Sequence, residues 1–231
     1  MPGERAFAAW EKLRKVGRGA PVVVGDDETF AILAERLASA IPLRLEDILA
    51  VAGKLRHPDA LEERKQQAAR ARAELAPLFQ PEDPDSWARE PEPPPLGARP
   101  QEPPDYPGVP IVHDLRTAQP FPTGSIVLIP TDDWTTIPAY LRWGGWNACA
   151  NPEYHVATLR SWRERFGAEL VGLSHDEMIL RVARPPRRPP AALDLAREHH
   201  LYCRHVVEAV GTLSALAAAL AQNNWWYFWW D

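Results

Sequence analysis

The sequence predicts an α/β fold of the α+β kind: a mixed β-sheet flanked by helices in a C-terminal domain, preceded by a mostly helical N-terminal region. Three observations predict it. Short apolar runs bounded by glycine, proline or polar residues, "APVVVG", "GSIVLIPT", "AELVGLS" and "DEMILRVARPP", read as strands. Between them lie segments with apolar residues at helical spacing and capping residues at their starts. A proline-rich acidic stretch from Pro81 to Pro110 divides the chain, predicting a region over 1–80, a linker over 81–108 and a domain over 109–231.

In the first region Phe7, Trp10, Leu13 and Val16 recur at helical spacing. "APVVVG" then reads as a short buried strand stopped by Gly25. Asp26 and Asp27 can cap a helix whose apolar face is Phe30, Ile32, Leu33 and Leu37, ending before Pro42. Two further helices are expected over about Leu45 to Leu55 and Ala60 to Leu75, the second a solvated charge run. The linker keeps only Trp87 and Tyr106 as aromatic groups and favours an extended conformation.

After it, "VPIVHDL" and "GSIVLIPT" are β-rich. Asn151, Pro152 at the first helical position and Glu153 in the first turn start a helix, with Val156, Leu159 and Trp162 or Arg163 inward and Gly167 at its end. Two strands joined by the turn around Ser174, His175 and Asp176 form a hairpin. "PPAALDLAREHHLYCRHVVEAV" reads as one long helix, and Thr212 caps another. The terminal "WWYFWW" alternates large rings onto both faces of a strand, so it belongs inside a sheet covered on two sides.

Composition excludes several function classes. A net charge of -5 and a pI near 5.8 supply no basic footprint for nucleic acid. No apolar run approaches the roughly 20 residues that cross a bilayer, and no basic segment followed by an apolar one opens the chain, so a cytoplasmic location is expected. Two cysteines make no disulfide scaffold. "VVVGDDE" lacks the other glycines and the Lys-Ser/Thr of a nucleotide loop, and its aspartates repel phosphate. Ser125, Ser161, Ser174 and Ser214 sit in no G-x-S-x-G elbow. The pairs Asp132/Asp133 and Asp176/Glu177 are sequence neighbours that diverge on a strand.

Two segments carry candidate chemistry, "GGWNACANPEYH" and "REHHLYCRH". Cys149 lies just before the Asn151 helix, whose dipole would lower its pKa, with His155 as base. His199 and Cys203, four apart on a helix, share a face and could join Cys149 or His155 in a zinc site, although no CxxC or HExxH occurs. Zinc is the one ion this set suggests, and no cofactor is otherwise implied. Glu198 and Tyr202 are expected to face inward beneath the "GGWN" turn, with the Asn147 amide, the Trp146 indole or backbone N–H groups as donors to the carboxylate. The alternative reading of these residues is structural: Asn147 caps a turn, Glu198 and Tyr202 satisfy buried groups, and the histidines are partly exposed.

"LRWGGWNACANPE", "LRSWRERFGAELVGLSHDEMILRVARPP", "ALDLAREHHLYC" and "WWYFWWD" together are similar to the bacterial DUF4253 domain, a family without established activity. The resemblance covers about Val109 to Asp231 and implies a bacterial α/β domain. The matching residues are Trp146, Asn147, Cys149, Trp162, Gly167, Ala168, Asp176, Glu198, Tyr202, Cys203, Trp229, Trp230 and Asp231. Ala150 stands where the family has proline, and His205 where it has an acid. Two function classes follow: a non-enzymatic protein-interaction module, immunity-like or accessory, whose partner is another protein; and a small metal- or cysteine-dependent hydrolase using Cys149, His155, His199 and Cys203.

Overall fold

The computed structural model describes residues 1–39, 43–78, 93–102, 113–114 and 119–230. Helix α1 (Ala6–Val16) leads into β1 (Ala20–Gly25), α2 (Asp27–Ser39), α3 (Leu45–Ala52) and α4 (Asp59–Leu75). A small ladder, β2 (His113–Asp114) with β3 (Gln119–Pro120), precedes β4 (Ser125–Ile129) and the short α5 (Ile137–Tyr140). Then follow α6 (Pro152–Phe166), β5 (Ala168–Leu173), β6 (Glu177–Val182), α7 (Pro189–Tyr202), α8 (His205–Val210), α9 (Leu213–Gln222) and β7 (Trp225–Trp229). The fold is α+β. Most of the linker, and Asp231, lie outside the described residues.

Five strands form one mixed sheet in the order β4-β1-β5-β6-β7. β1 runs antiparallel to β4 and parallel to β5, and β6 runs antiparallel to both of its neighbours, β5 and β7. Every residue of β1 is buried, as the unbroken apolar run requires of a central strand. One sheet face packs on α6, α7 and α9 through Leu159, Trp162, Leu195, Leu216 and Leu220. The other is covered by α1, whose Ala6, Phe7 and Trp10 meet Val23, Val171, Ile179 and Tyr227. A bulge between Leu170 and Gly172 lets Leu170 and Leu173 both face the larger core.

The caps form as the sequence indicates at Asp26, whose carboxylate accepts from Thr29 N–H at 2.9 Å, and at Thr212, whose hydroxyl accepts from Ala215 N–H at 3.1 Å. α6 runs from Pro152 to a left-handed Gly167. Several expectations need correction. Val16 and Phe30 are exposed: the apolar contact of α1 with the sheet is made by Ala6, Phe7 and Trp10, and α2 buries Leu33 alone among its described side chains. α3 stops at Ala52 rather than Leu55. The long helix breaks: Cys203 is extended (φ -147°, ψ 105°), so α7 and α8 are separate. β7 is an edge strand, although both its faces are covered: Trp226 and Phe228 enter the main core, and Tyr227, with half-buried Trp225 and Trp229, packs on the α1 side.

Residues 95–97 dock on the start of α9. The Pro95 and Leu96 carbonyls accept from Leu213 and Ser214 N–H at 2.9 Å, satisfying two of the donors a helix start leaves open. Gly97 (φ 66°) approaches Thr212 so closely that a Cβ would lie 2.5 Å from its methyl carbon. Among the described residues no helix is long and apolar enough to cross a membrane.

Candidate functional site

Cys149 closes a tight turn, its N–H donating to the Trp146 carbonyl at 2.8 Å, two residues before the Asn151 position that starts α6. His155, in the first turns of that helix, points inward. The Cys149 Sγ lies 3.4 Å from His155 Nε2, and His155 Nδ1 lies 2.6 Å from the Tyr202 hydroxyl on α7. That hydroxyl donates to Met178 Sδ on β6 at 3.4 Å. A thioether can only accept, which sets the direction of the chain. Tyr202 O–H donates to Met178, His155 Nδ1–H donates to Tyr202, and the unprotonated Nε2 faces the Cys149 S–H.

All three groups are closed off from solvent, with exposures of 2% for Cys149, 0% for His155 and 1% for Tyr202. Trp143 and Trp230 pack edgewise on the imidazole at 4.8 and 5.6 Å. Burial pushes the Cys149 thiol far above its ordinary range, with Cys203 also opposing ionisation, and the Arg64 charge offsets little of this. The expected dipole-lowered thiol is therefore corrected, because desolvation outweighs the helix start. Burial also takes His155 down to about 3, assisted by Arg64, and raises Tyr202. The relay is uncharged throughout.

The loop over it is built on left-handed backbone at Arg142 (φ 46°), Gly144 (φ 114°), Gly145 (φ 84°) and Asn147 (φ 45°). Asn147 is exposed and serves as the turn residue, in keeping with the structural reading. A Cβ at Gly144 would collide with the Ala150 carbonyl and lie 2.8 Å from His155 Nε2, so only glycine lets the loop close over the ring. Half-buried Trp146 lies under the Arg36 guanidinium at 4.6 Å, and Arg64 donates to the Ala148 carbonyl at 3.0 Å. Both arginines come from the N-terminal helices.

Glu198 forms a second constellation. It is 6% exposed and faces inward as expected, but its donors are neither Asn147 nor Trp146. Its Oε1 accepts from the Trp162 indole and lies 2.6 Å from His57 Nε2, while Arg165 Nη1 donates to both oxygens at 2.9 Å. His57 Nδ1 in turn contacts the Thr158 hydroxyl at 3.1 Å. Burial would raise this carboxyl, but the His57, Trp162 and Arg165 contacts outweigh it and hold it at about 2. A cleft of about 480 Å³ opens here, lined by His57, Pro58, Arg165, Arg197, Glu198 and Leu201.

His199 and Cys203 do not join the relay as ligands. His199 is fully buried against Trp162, Trp226 and Phe228, with neither ring nitrogen hydrogen-bonded, and burial lowers it to about 3. Cys203 donates its S–H to the Trp229 carbonyl at 3.0 Å, and His205 Nδ1 donates to the same oxygen at 3.2 Å. Burial carries this thiol up to about 12. Among the described residues no group of three or more His, Cys, Asp or Glu gathers as a metal site, so the residues do not fit zinc. The partly exposed histidines of the structural reading are corrected at positions 155, 199 and 205, which are buried.

Sequence reasoning missed His57, Arg165, Arg36 and Arg64: Arg64 lies in the run read as solvated, Arg36 and Arg165 lie in helices read by their apolar faces, and His57 lies between two expected helices. Their only local signal is the placement of His57 before Pro58, outside the charge run. No curated protein and no solved structure matches the chain. Residues 125–231, from β4 through the aromatic terminus, match the model of the DUF4253 family, described as a domain of unknown function.

Proposed function

We propose that the chain is a non-enzymatic protein-interaction module, immunity-like or accessory in kind, which recognises another protein through the cleft beside α7. The observation that carries this reading is the contrast between the two constellations. Cys149, His155 and Tyr202 are enclosed and uncharged, a poor state for turnover. The Glu198 constellation instead opens on a cleft whose rim carries Arg197 paired with Asp194 at 3.0 Å. Rim charges of this sort tune partner choice and encounter rate.

The test compares proteins recovered with the full chain and with an Arg197→Glu, Asp194→Lys variant, by quantitative mass spectrometry in the native host. The expected result is a stoichiometric protein lost from the variant at unchanged melting temperature, and bound again when both are purified. Identical recovered sets would sink the cleft as the recognition surface. Hydrolytic turnover that Cys149→Ser abolishes would replace this reading by the second one, a cysteine-dependent hydrolase, which the Cys149–His155–Tyr202 contacts favour. The metal-dependent form of that alternative has no ligand set to support it among the described residues.

A further inference from the structure

We infer that the chain pairs with a second copy of itself along the outer edge of β4, the two sheets joining antiparallel about a two-fold axis at Val127. This surface is separate from the cleft beside α7, which no residue of β4 lines.

The edge is open because of how β4 meets β1. Pro21 has no N–H, and the Trp10 indole donates to its carbonyl at 2.9 Å. Pro21 and Leu128, which lie opposite each other, are therefore a pair that exchanges no ladder hydrogen bonds. Pairs alternate along an antiparallel ladder, so Ala20 with Ile129 and Val22 with Val127 are the bonded ones, and the N–H and C=O groups of Ile126 and Leu128 point away from β1. Among the described residues none bonds to those four groups. Leu128 is 44% exposed, and β4 carries no charged side chain of the sort that blunts an edge strand. The opposite edge is treated differently: the outward Trp229 carbonyl accepts from Cys203 and His205, with α8 packed against β7.

The open stretch is complementary to itself. Gly124, the next outward position on one side, already exchanges hydrogen bonds with Met1 at 2.6 and 3.1 Å. Pro130, the next on the other side, has no N–H, and the chain turns there as Thr131 N–H donates to the Ile129 carbonyl at 2.8 Å. The slot is thus closed at both ends and matches the five residues of β4, whereas a longer foreign strand would run into Met1. Placed antiparallel, Ile126 of each copy lies opposite Leu128 of the other, and all four outward groups of each copy find their complements. The same register sets exposed Leu128 against half-buried Ile126 on the α1 side, an apolar cross-strand pair with no like charges opposed. One strand edge is small beside the roughly 1,600 Å² of a standard interface, so the pair forms and dissociates with concentration.

The test is sedimentation velocity of the purified full chain from micromolar to millimolar concentration, with cross-linking to read the register. A concentration-dependent dimer is expected. Val127→Cys should form a covalent dimer under mild oxidation, since residues meeting in a non-bonded pair have Cα atoms about 4.5 Å apart, within the span of a disulfide. Leu128→Cys, which faces Ile126 of the second copy, should cross-link far less. Leu128→Lys should weaken the dimer by at least about tenfold at unchanged melting temperature, the scale of leaving one leucine unburied. A chain that stays monomeric throughout overturns the proposal, even if the same edge takes up a strand of another protein. Equal cross-linking at 127 and 128, or a dimer indifferent to Leu128→Lys, overturns it as well. If a cysteine variant does not fold, the concentration series and Leu128→Lys decide. Because only the purified chain is used, failure to recover a partner through the α7 cleft leaves this result untouched.

Discussion

Glu198 is a carboxylate almost out of water, and what it contributes follows from the three side chains that serve it. Replacing it by glutamine leaves the Trp162 indole an acceptor but deprives Arg165 and His57 of an anion. Glu198→Gln should therefore lower the stability by about 2 kcal/mol, the range for hydrogen bonds to a charged group. Urea denaturation checks this, and a neutral effect would mean the network is ornamental. Tyr202→Phe makes the companion test, since it leaves the buried His155 Nδ1–H without an acceptor, at about 1–3 kcal/mol. Cys149 and His155 were legible as a pair because they lie six apart around a recognisable helix start, whereas the contact of His155 with Tyr202, 47 positions away, was not. Nor were the donors of Glu198, because His57 reaches it across 141 positions and no local pattern records such a meeting. The thiol state was misjudged for a related reason: the sequence displays a helix dipole but not the rings that exclude water.

At the scale of elements, β7 is held by its two faces. Trp226 and Phe228 are fully buried, and each large aromatic truncated to alanine typically costs about 3–5 kcal/mol. Deleting Trp225 to Asp231 thus approaches or exceeds the whole stability of a domain, about 5–15 kcal/mol. Loss of the cooperative thermal transition is the expected outcome, and a truncated chain that still melts sharply would show the strand to be an appendage. The docked segment 95–97 permits a milder experiment: Gly97→Val pushes against Thr212 and should speed tryptic cleavage at Arg99, with the core fragment unaffected. Unchanged cleavage would mean the docking contributes nothing to local protection. Strands, caps and the hairpin were readable because their causes are local. The break at Cys203 was not, since the apolar spacing continues through it, and the extended residue serves the Trp229 carbonyl on the outer strand. Nor could any local signal reveal that β1 pairs with β4, about a hundred residues later.

For the whole molecule, the buried histidines set the response to acid. His155 and His199 lie at about 3 in the fold against an ordinary 6.5, so between those values the unfolded chain takes up protons that the native one refuses. Stability accordingly falls as pH drops from 6.5 toward 3, by about 1.4 kcal/mol per pH unit for each histidine. Glu198, lowered from 4.5 to about 2, adds a further loss as pH falls through that lower window. Urea midpoints measured from pH 7 to pH 4 should show this slope, and His199→Phe should roughly halve it; a variant that keeps the full slope would show that His199 is not the neutral, buried group described above. The sheet order carries one more consequence. β1 sits between β4 and β5, so the span 125–231 by itself is a sheet with its second rung missing, presenting two raw strand edges that invite pairing with any extended chain. Produced alone, that span should aggregate or capture a foreign strand. Supplied with the N-terminal segment as a separate polypeptide, it should recover a soluble two-piece assembly, much as a zip closes when its missing row of teeth is returned.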